Sequence, residues 1–346
     1  MREAGCEPIF DMSAHAAMLL GAARAARQAG GMLTAAYQCL QNGRLDAAVV
    51  IDSPMLHLPL ALLAKDAGVP VLYYVAPQLW AWGEKRIEKL RKRVDRLAVI
   101  LPFEEPYFRE RGVEATFVGH PLADVLERPP PDAHAVESLR RRGQPFIASL
   151  PGSRRQVVKQ LLDDQLDIAE RVAAAFPDAA FGVSIAHDSM GEWVEARARR
   201  CAANAQCHRG ALGNLIEAAD LALVASGTTT LEVAFRRRPM IVMYKTSRTM
   251  AKLAGRWVRT PYLALPNILA GREIVPEFMP AYASVEPIAA RAIQLLSSPD
   301  DRADMVRALD AAVTPLRNPG ASKRTAQMLF ELIDATHAAA HPSRAF

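Results

Sequence analysis

Phosphate binding is the chemistry most plainly suggested by the residues of this 346-residue chain. Phe146–Gln156 reads FIASLPGSRRQ, an apolar run stopped by Pro151-Gly152 and followed by Ser153 and Arg154. Phe146 to Leu150 predicts a buried strand. Ser153 is expected as a helix N-cap, with Val157, Val158, Leu161, Leu162 and Leu166 on the apolar face of the helix that follows. A strand, a glycine turn and a helix N-terminus leave orphan N–H groups and the positive end of the helix dipole facing one loop. Arg154 adds a fork of donors matched to phosphate. An ordinary βα turn with an exposed arginine is the plainer reading of the same residues.

A second junction of this kind is Asp220–Val224 (DLALV), followed by Ala225-Ser226-Gly227-Thr228-Thr229-Thr230-Leu231-Glu232. Its small and hydroxylated residues leave N–H groups open to a diphosphate, and Glu232, about one and a half turns into the helix, can reach a ribose diol. The stretch Tyr262–Glu273 reads as a polar-tipped loop with Asn267, Arg272 and Glu273 as donors and acceptors. A candidate base lies earlier. Ala47–Ile51 (AAVVI) predicts a buried parallel strand that ends in Asp52-Ser53-Pro54. Ligands of open α/β sheets lie beyond the carboxyl ends of the strands, where Asp52 can take a proton from an attacking hydroxyl. Asp52 also suits the N-cap of a helix over His57–Lys65, and the two roles are compatible. Trp80 and Trp82, after the strand Pro70–Val75, either pack or line a site for a sugar or acyl chain.

Such groups need a scaffold that gathers strand ends on one edge. Short apolar runs at residues 97–101 and 116–118 alternate with helical patterns, which makes the first half a doubly wound parallel α/β sheet. Glu127–Asp132 (ERPPPD) is the linker, since three consecutive prolines continue neither a helix nor a central strand. A second α/β unit opens with Phe146, and the tail, Ala281–Leu296 and Asp301–His337, reads as helical. The division expected is 1–126, a connecting 127–145, a second domain over 146–315, and a tail over 316–346. Ala14–Leu40 predicts a helix pair broken at Gly30-Gly31, either core or an interfacial surface patch. Glu84–Arg96 predicts a helix with a dense basic face, either solvated or drawn to anionic lipid headgroups.

Apolar residues make up 51% and charged residues 23%, so the chain forms cores rather than staying disordered. A net charge of +5 suits anionic substrates or a membrane surface and is too weak to argue for nucleic acid. The four cysteines show no CxxC spacing and read as free thiols of a reducing compartment. With no apolar run of membrane-spanning length and no signal pattern, the chain reads as cytoplasmic. No Asp-x-Asp triplet occurs to clamp a nucleotide-bound divalent metal, so neither metal nor cofactor is expected.

Taken in order, IDSP, VAPQLWAW, LPFE, FVGHPLAD, LPGSRR, ASGTTTLE and LPNILAGRE resemble the lipid-A-disaccharide synthase family across most of the chain. The resemblance implies a GT-B glycosyltransferase, with two Rossmann-like domains facing a cleft, acceptor on the N-terminal side and UDP-sugar on the C-terminal side. It implies transfer of diacylglucosamine from UDP to the 6-hydroxyl of a diacylglucosamine 1-phosphate, with inversion, giving the β-1,6 disaccharide of lipid A. Asp52 then matches the base, and Arg154 the arginine that serves catalysis and the diphosphate. Gly152, Ser153, Ser226, Gly227, Thr228, Glu232, Arg272 and Glu273 match the UDP site, with Asn267 at the uridine side. Trp80, Trp82 and His120 fall on the acceptor side. Peripheral attachment to the inner membrane and a homodimer that exchanges C-terminal segments are implied as well.

Two departures stand out. The family's first strand and glycine-rich loop precede the segment resembling MREAGCEPIFDM, so the first domain is expected to be N-terminally truncated, with Met1 an internal methionine. The family's second acidic residue after the base is Met55 here, and His57 replaces an asparagine, which bears on acceptor recognition. The alternatives are a UDP-sugar-binding protein without transferase activity and an isomerase like UDP-N-acetylglucosamine 2-epimerase.

Overall fold

The computed structural model describes residues 5–7, 9, 22–43, 45–126, 130–246 and 260–340. The chain divides into two units, Met1–Pro121 with Asn318–Phe346, and Leu122–Arg317. Sequence placed the first break at 126 and left 316–346 as a separate tail; here the last helix belongs to the first unit. Part of the proline linker, residues 127–129, and residues 14–21 of the N-terminal helical stretch lie outside the described residues.

The first unit runs α1 (Ala22–Asn42), β1 (Ala48–Ile51), α2 (Pro54–Asp66), β2 (Val71–Tyr74), α3 (Ile87–Arg93), β3 (Arg96–Val99), α4 (Glu104–Arg109) and β4 (Ala115–Phe117). Its strands pair in parallel in plain chain order, β1-β2-β3-β4. The order does not reverse among the described strands, and β1 is an edge strand with Val49 and Ile51 on show. One face of the sheet packs Val50, Val71, Tyr73, Leu97 and Val99 against Leu58, Ala61, Leu90 and Phe108 from the helices. Helix α1 passes through Gly30-Gly31 without the expected break. The basic segment is shorter than expected, a 3-10 turn at Glu84–Arg86 followed by α3.

The second unit continues with α5 (Leu122–Leu126), α6 (Ala133–Arg140), β5 (Phe146–Leu150), α7 (Arg155–Ala175), β6 (Ala180–Ile185), α8 (Gly191–Ala198), β7 (Ala205–Arg209), α9 (Leu212–Ala218) and β8 (Leu221–Ala225). It closes with α10 (Thr229–Phe235), β9 (Met240–Met243), α11 (Leu265–Ala270), β10 (Glu277–Phe278), α12 (Glu286–Ser297) and α13 (Pro299–Val313). Six parallel strands are ordered β10-β9-β8-β5-β6-β7. The order reverses between β5 and β8, which opens a ligand crevice at their carboxyl ends. Every residue of β5 and of β8 is buried, as continuous apolar runs under two helical layers require. Asp132 caps α6 by accepting from the N–H groups of His134 and Ala135. The elements not foreseen include β7, the short strand β10, and α11 inside the stretch read as a loop.

The chain then returns to the first unit as α14 (Ala321–Ala340). Leu332, Met328 and Leu329 of α14 cover the second face of the first sheet at Leu72, Ala98 and Val118. Arg324 ties the return, donating to the carbonyls of Val118 at 2.7 Å, Pro319 at 2.9 Å and Asn318 at 3.1 Å. Gly119, at φ +88°, makes room for that guanidinium, because a Cβ there would lie 2.5 Å from Arg324 Nη2.

Candidate functional site

At the carboxyl edge of the second sheet, the turn after β5 adopts the geometry its residues imply. Gly152 sits at φ +103°, where only glycine rests without strain, and its missing Cβ would meet Ala225 at 3.3 Å. The loops after β5 and β8 can therefore approach closely. Ser153 does not cap the helix as expected: the N-cap is Arg154, and among the described residues no side chain accepts from the first-turn N–H groups. Those donors stay open at the N-terminus of a 21-residue helix. Arg154 is exposed and forms no ion pair among the described residues.

A cavity of about 260 Å³ lies beside this turn. Gly152 and Ser153 line it together with Thr229, Ser184 near the end of β6, Ala186 just past it, and Gly210 beyond β7. Sequence reading missed the last three, although Ala186 and Gly210, just past two strand ends, carry the same signal as Asp52. Ser226, Gly227 and Thr228 join β8 to α10, and the Thr230 hydroxyl donates to the Gly227 carbonyl at 2.7 Å. Glu232 is half-buried, and burial raises its carboxyl above the usual range against the pull of Arg236 at 3.8 Å.

The third expected part of the nucleotide site is arranged differently. Asn267 is fully buried, and its amide donates to the Val275 carbonyl and to Glu277 while its oxygen accepts from the N–H groups of Ile274 and Val275. Its polar atoms hold the chain between α11 and β10 and leave nothing for a uridine. Arg272 and Glu273 are exposed and line a separate depression with Arg291, Asp301 and Arg307. They do not line the β5–β8 cavity.

In the first unit, Asp52 and Ser53 both have left-handed backbone, φ 53° and 43°, and Val75 at the end of β2 has φ 63°. Each is a costly conformation for a residue with a Cβ, about 1–3 kcal/mol, and such strain gathers at functional sites. The surroundings hold Asp52 in place: its N–H donates to the Tyr74 carbonyl at 3.0 Å, and its carbonyl accepts from Tyr73 at 2.7 Å. His57 Nδ1 is also 2.7 Å from that carbonyl. Burial and the Asp52 charge raise the Tyr73 hydroxyl, which keeps it a donor. The carboxylate caps no helix, since the N-cap is Ser53, and accepts no hydrogen bond among the described residues. Three residues on the loops after β2 and β4 belong to this edge. Trp80 donates to Glu104, and Trp82 is 41% exposed with Arg86 stacked 5.0 Å over its ring. His120 is buried, which pushes its imidazole down to about 4 and leaves it neutral at physiological pH.

A family model described as lipid-A-disaccharide synthetase matches residues 1–331. The chain belongs to that family. A lipid-A-disaccharide synthase of Syntrophus aciditrophicus (strain SB) is 37% identical over 324 residues, 91% of this chain and 84% of that protein. One from Anaeromyxobacter dehalogenans (strain 2CP-1 / ATCC BAA-258) is 40% identical over 301 residues, 86% of this chain and 78% of that protein. Among solved structures, the S. aureus MnaA–UDP co-structure superposes with a TM-score of 0.61 at 13% identity, covering 86% of this chain and 79% of that one. An α,α-trehalose 6-phosphate synthase from Burkholderia multivorans gives 0.55 at 13% identity, over 90% and 78%. These structures show the GT-B fold that the motifs implied, and the lipid-A-disaccharide synthetase family carries the glycosyltransferase reading.

Proposed function

We propose that this chain joins UDP-2,3-diacylglucosamine to 2,3-diacylglucosamine 1-phosphate, releasing UDP and the β-1,6 lipid A disaccharide. The observation that carries the donor half is the β5–β8 crevice. There a glycine turn and the N-terminus of a 21-residue helix, with the exposed Arg154 at its N-cap, adjoin a cavity of about 260 Å³. The diphosphate sits on the N–H groups that follow Gly152 and Ser153, with Arg154 and the Ser226-Gly227-Thr228 turn as further donors. Glu232 takes the ribose, and Ser184, Ala186 and Gly210 surround the base. Asn267 then acts by holding its loop rather than by touching uridine.

Displacement at an anomeric carbon needs a base on the attacking hydroxyl and charge stabilisation on the leaving group. Asp52 takes the proton of the attacking hydroxyl onto its carboxylate, which accepts no hydrogen bond among the described residues. Arg154 and the helix N-terminus stabilise the negative charge that builds on departing UDP. Trp80, Trp82 and His120 belong to the acceptor side, where Trp82 and the exposed Lys85, Lys89 and Lys92 suit an anionic membrane surface. On this reading the protein works peripherally at the cytoplasmic face of the inner membrane. Among the described residues, no helix is long and apolar enough to cross it. The exchanged C-terminal dimer is a further part of the proposal, read from mass in solution.

The decisive assay incubates the purified chain with both acylated substrates. Disaccharide and UDP are expected in equal amounts. UDP without disaccharide, which means transfer to water, overturns the synthase reading, and donor binding with neither product overturns it in favour of a UDP-sugar-binding protein.

A further inference from the structure

One buried carboxylate of the first unit has no part in the chemistry above. Glu104, at the start of α4, is 1% exposed. Its Oε2 accepts from the N–H groups of Leu101 at 3.0 Å and Ile100 at 3.2 Å, which fixes the turn after β3. Its Oε1 accepts from Trp80 Nε1 at 3.0 Å, on the loop after β2. Phe103 stands edge-on to the Trp80 ring, 5.0 Å between centroids. A single carboxylate thus ties together the loops that follow two adjacent strands, on the edge where parallel sheets bind ligands.

We infer that Glu104 is a positioning residue that latches Trp80, and with it the β2 loop, for acceptor binding only while its Oε1 carries no proton. This rests on the acceptor role proposed for Trp80. Oε2 already serves two backbone donors, so the oxygen with one partner is the better place for a proton. Protonation there sets an O–H donor against the indole N–H donor and breaks the bond. Burial pushes the Glu104 carboxyl up to about 7, against the opposing pull of Trp80, Leu101 and Ile100. The charged groups on the adjoining elements are engaged elsewhere. Arg86 lies over Trp82, Arg111 lies over Tyr107 and near Glu84, and Glu105 pairs with Arg109 and the Phe117 N–H. With its affinity for protons raised above the ordinary glutamate value, the latch holds above about pH 7 and opens as pH falls through it.

Tryptophan fluorescence of the whole chain, titrated from pH 6 to 8, reads the latch without any substrate. A transition centred near 7 is expected in the wild type and absent in both Glu104→Gln and Trp80→Phe. Glu104→Gln places an amide where the protonated acid would be. It should raise the acceptor KM about tenfold at pH 8, the worth of one buried hydrogen bond to a charged group, and leave the UDP-sugar KM unchanged. Trp80→Phe keeps the ring, drops the N–H and should remove the pH step in acceptor KM even if the glutamine variant folds poorly. No fluorescence transition in the wild type, or one that survives in a folded Glu104→Gln or Trp80→Phe, overturns the latch. A transition with no change in acceptor KM overturns its positioning role. A wild type that makes no disaccharide condemns the functional reading instead, and the fluorescence still decides the latch.

Discussion

At Asp52 and Arg154 the proposed chemistry comes down to two charges without partners among the described residues, and each can be removed separately. Asp52→Asn should lower kcat by about 10²–10⁴-fold, the usual worth of a positioned general base, and leave UDP affinity unchanged in titration calorimetry. Arg154→Ala should weaken UDP binding about 10- to 100-fold, since a charge-assisted hydrogen bond is worth about 1.5–3 kcal/mol, and should lower kcat as well. Asn267 predicts a different outcome. Asn267→Ala strands the buried N–H groups of Ile274 and Val275 and should cost about 2 kcal/mol or more in urea unfolding. UDP affinity of the folded variant should stay near wild type. Asp52 and Arg154 were legible as candidates because strand ends and helix starts announce themselves in hydrophobic pattern and in Gly, Pro and Asp. Asn267 misled, because an asparagine's usefulness to a ligand depends on what its own loop has already taken, and that is set by backbone geometry no spacing records.

Among the elements, the long buried strands and the helices between them follow from continuous apolar runs bounded by Gly, Pro and Asp. Strand β7 did not stand out because AQCHR lacks β-formers. Pairing with β6 along Phe181–Ile185 and the packing of Cys207 into the cluster around Val183 and Val194 make it a strand. Helix α11, LPNILA, is too short for a period to show. The β6 strand carries a packing constraint of its own. A Cβ on Gly182 would fall 2.5 Å from Leu215 and 2.8 Å from the Phe146 ring, both fully buried. Gly182→Ala should therefore destabilise the second unit by about 1–3 kcal/mol, read from its denaturation midpoint. Substitution at Gly210, with open space around it, should cost only the strain of its φ of +65°.

For the whole molecule, the placement of α14 is what composition concealed. An amphipathic helix advertises an apolar face but not the sheet it will cover. That face meets Leu72, Ala98 and Val118, so the first unit is assembled from both ends of the chain. Leu332→Ala should destabilise the first unit by about 2–4 kcal/mol and leave the second unchanged, seen as one shifted transition of two in calorimetry. A chain stopped at Arg317 should keep a protease-resistant second unit, while residues 45–121 are cleaved.

Assembly from both ends imposes an order on synthesis. The strands of the first sheet leave the ribosome before residues 122–317 are made, and the helix that covers one face of them only after. At about 5–20 residues per second, translating residues 122–317 takes on the order of 10–40 s. Through that interval the second unit can complete itself, whereas Leu72, Ala98 and the β1 edge stand bare to any other nascent chain. Yield of the active protein should therefore respond to chaperone supply and growth temperature more than the stability of the finished fold would suggest.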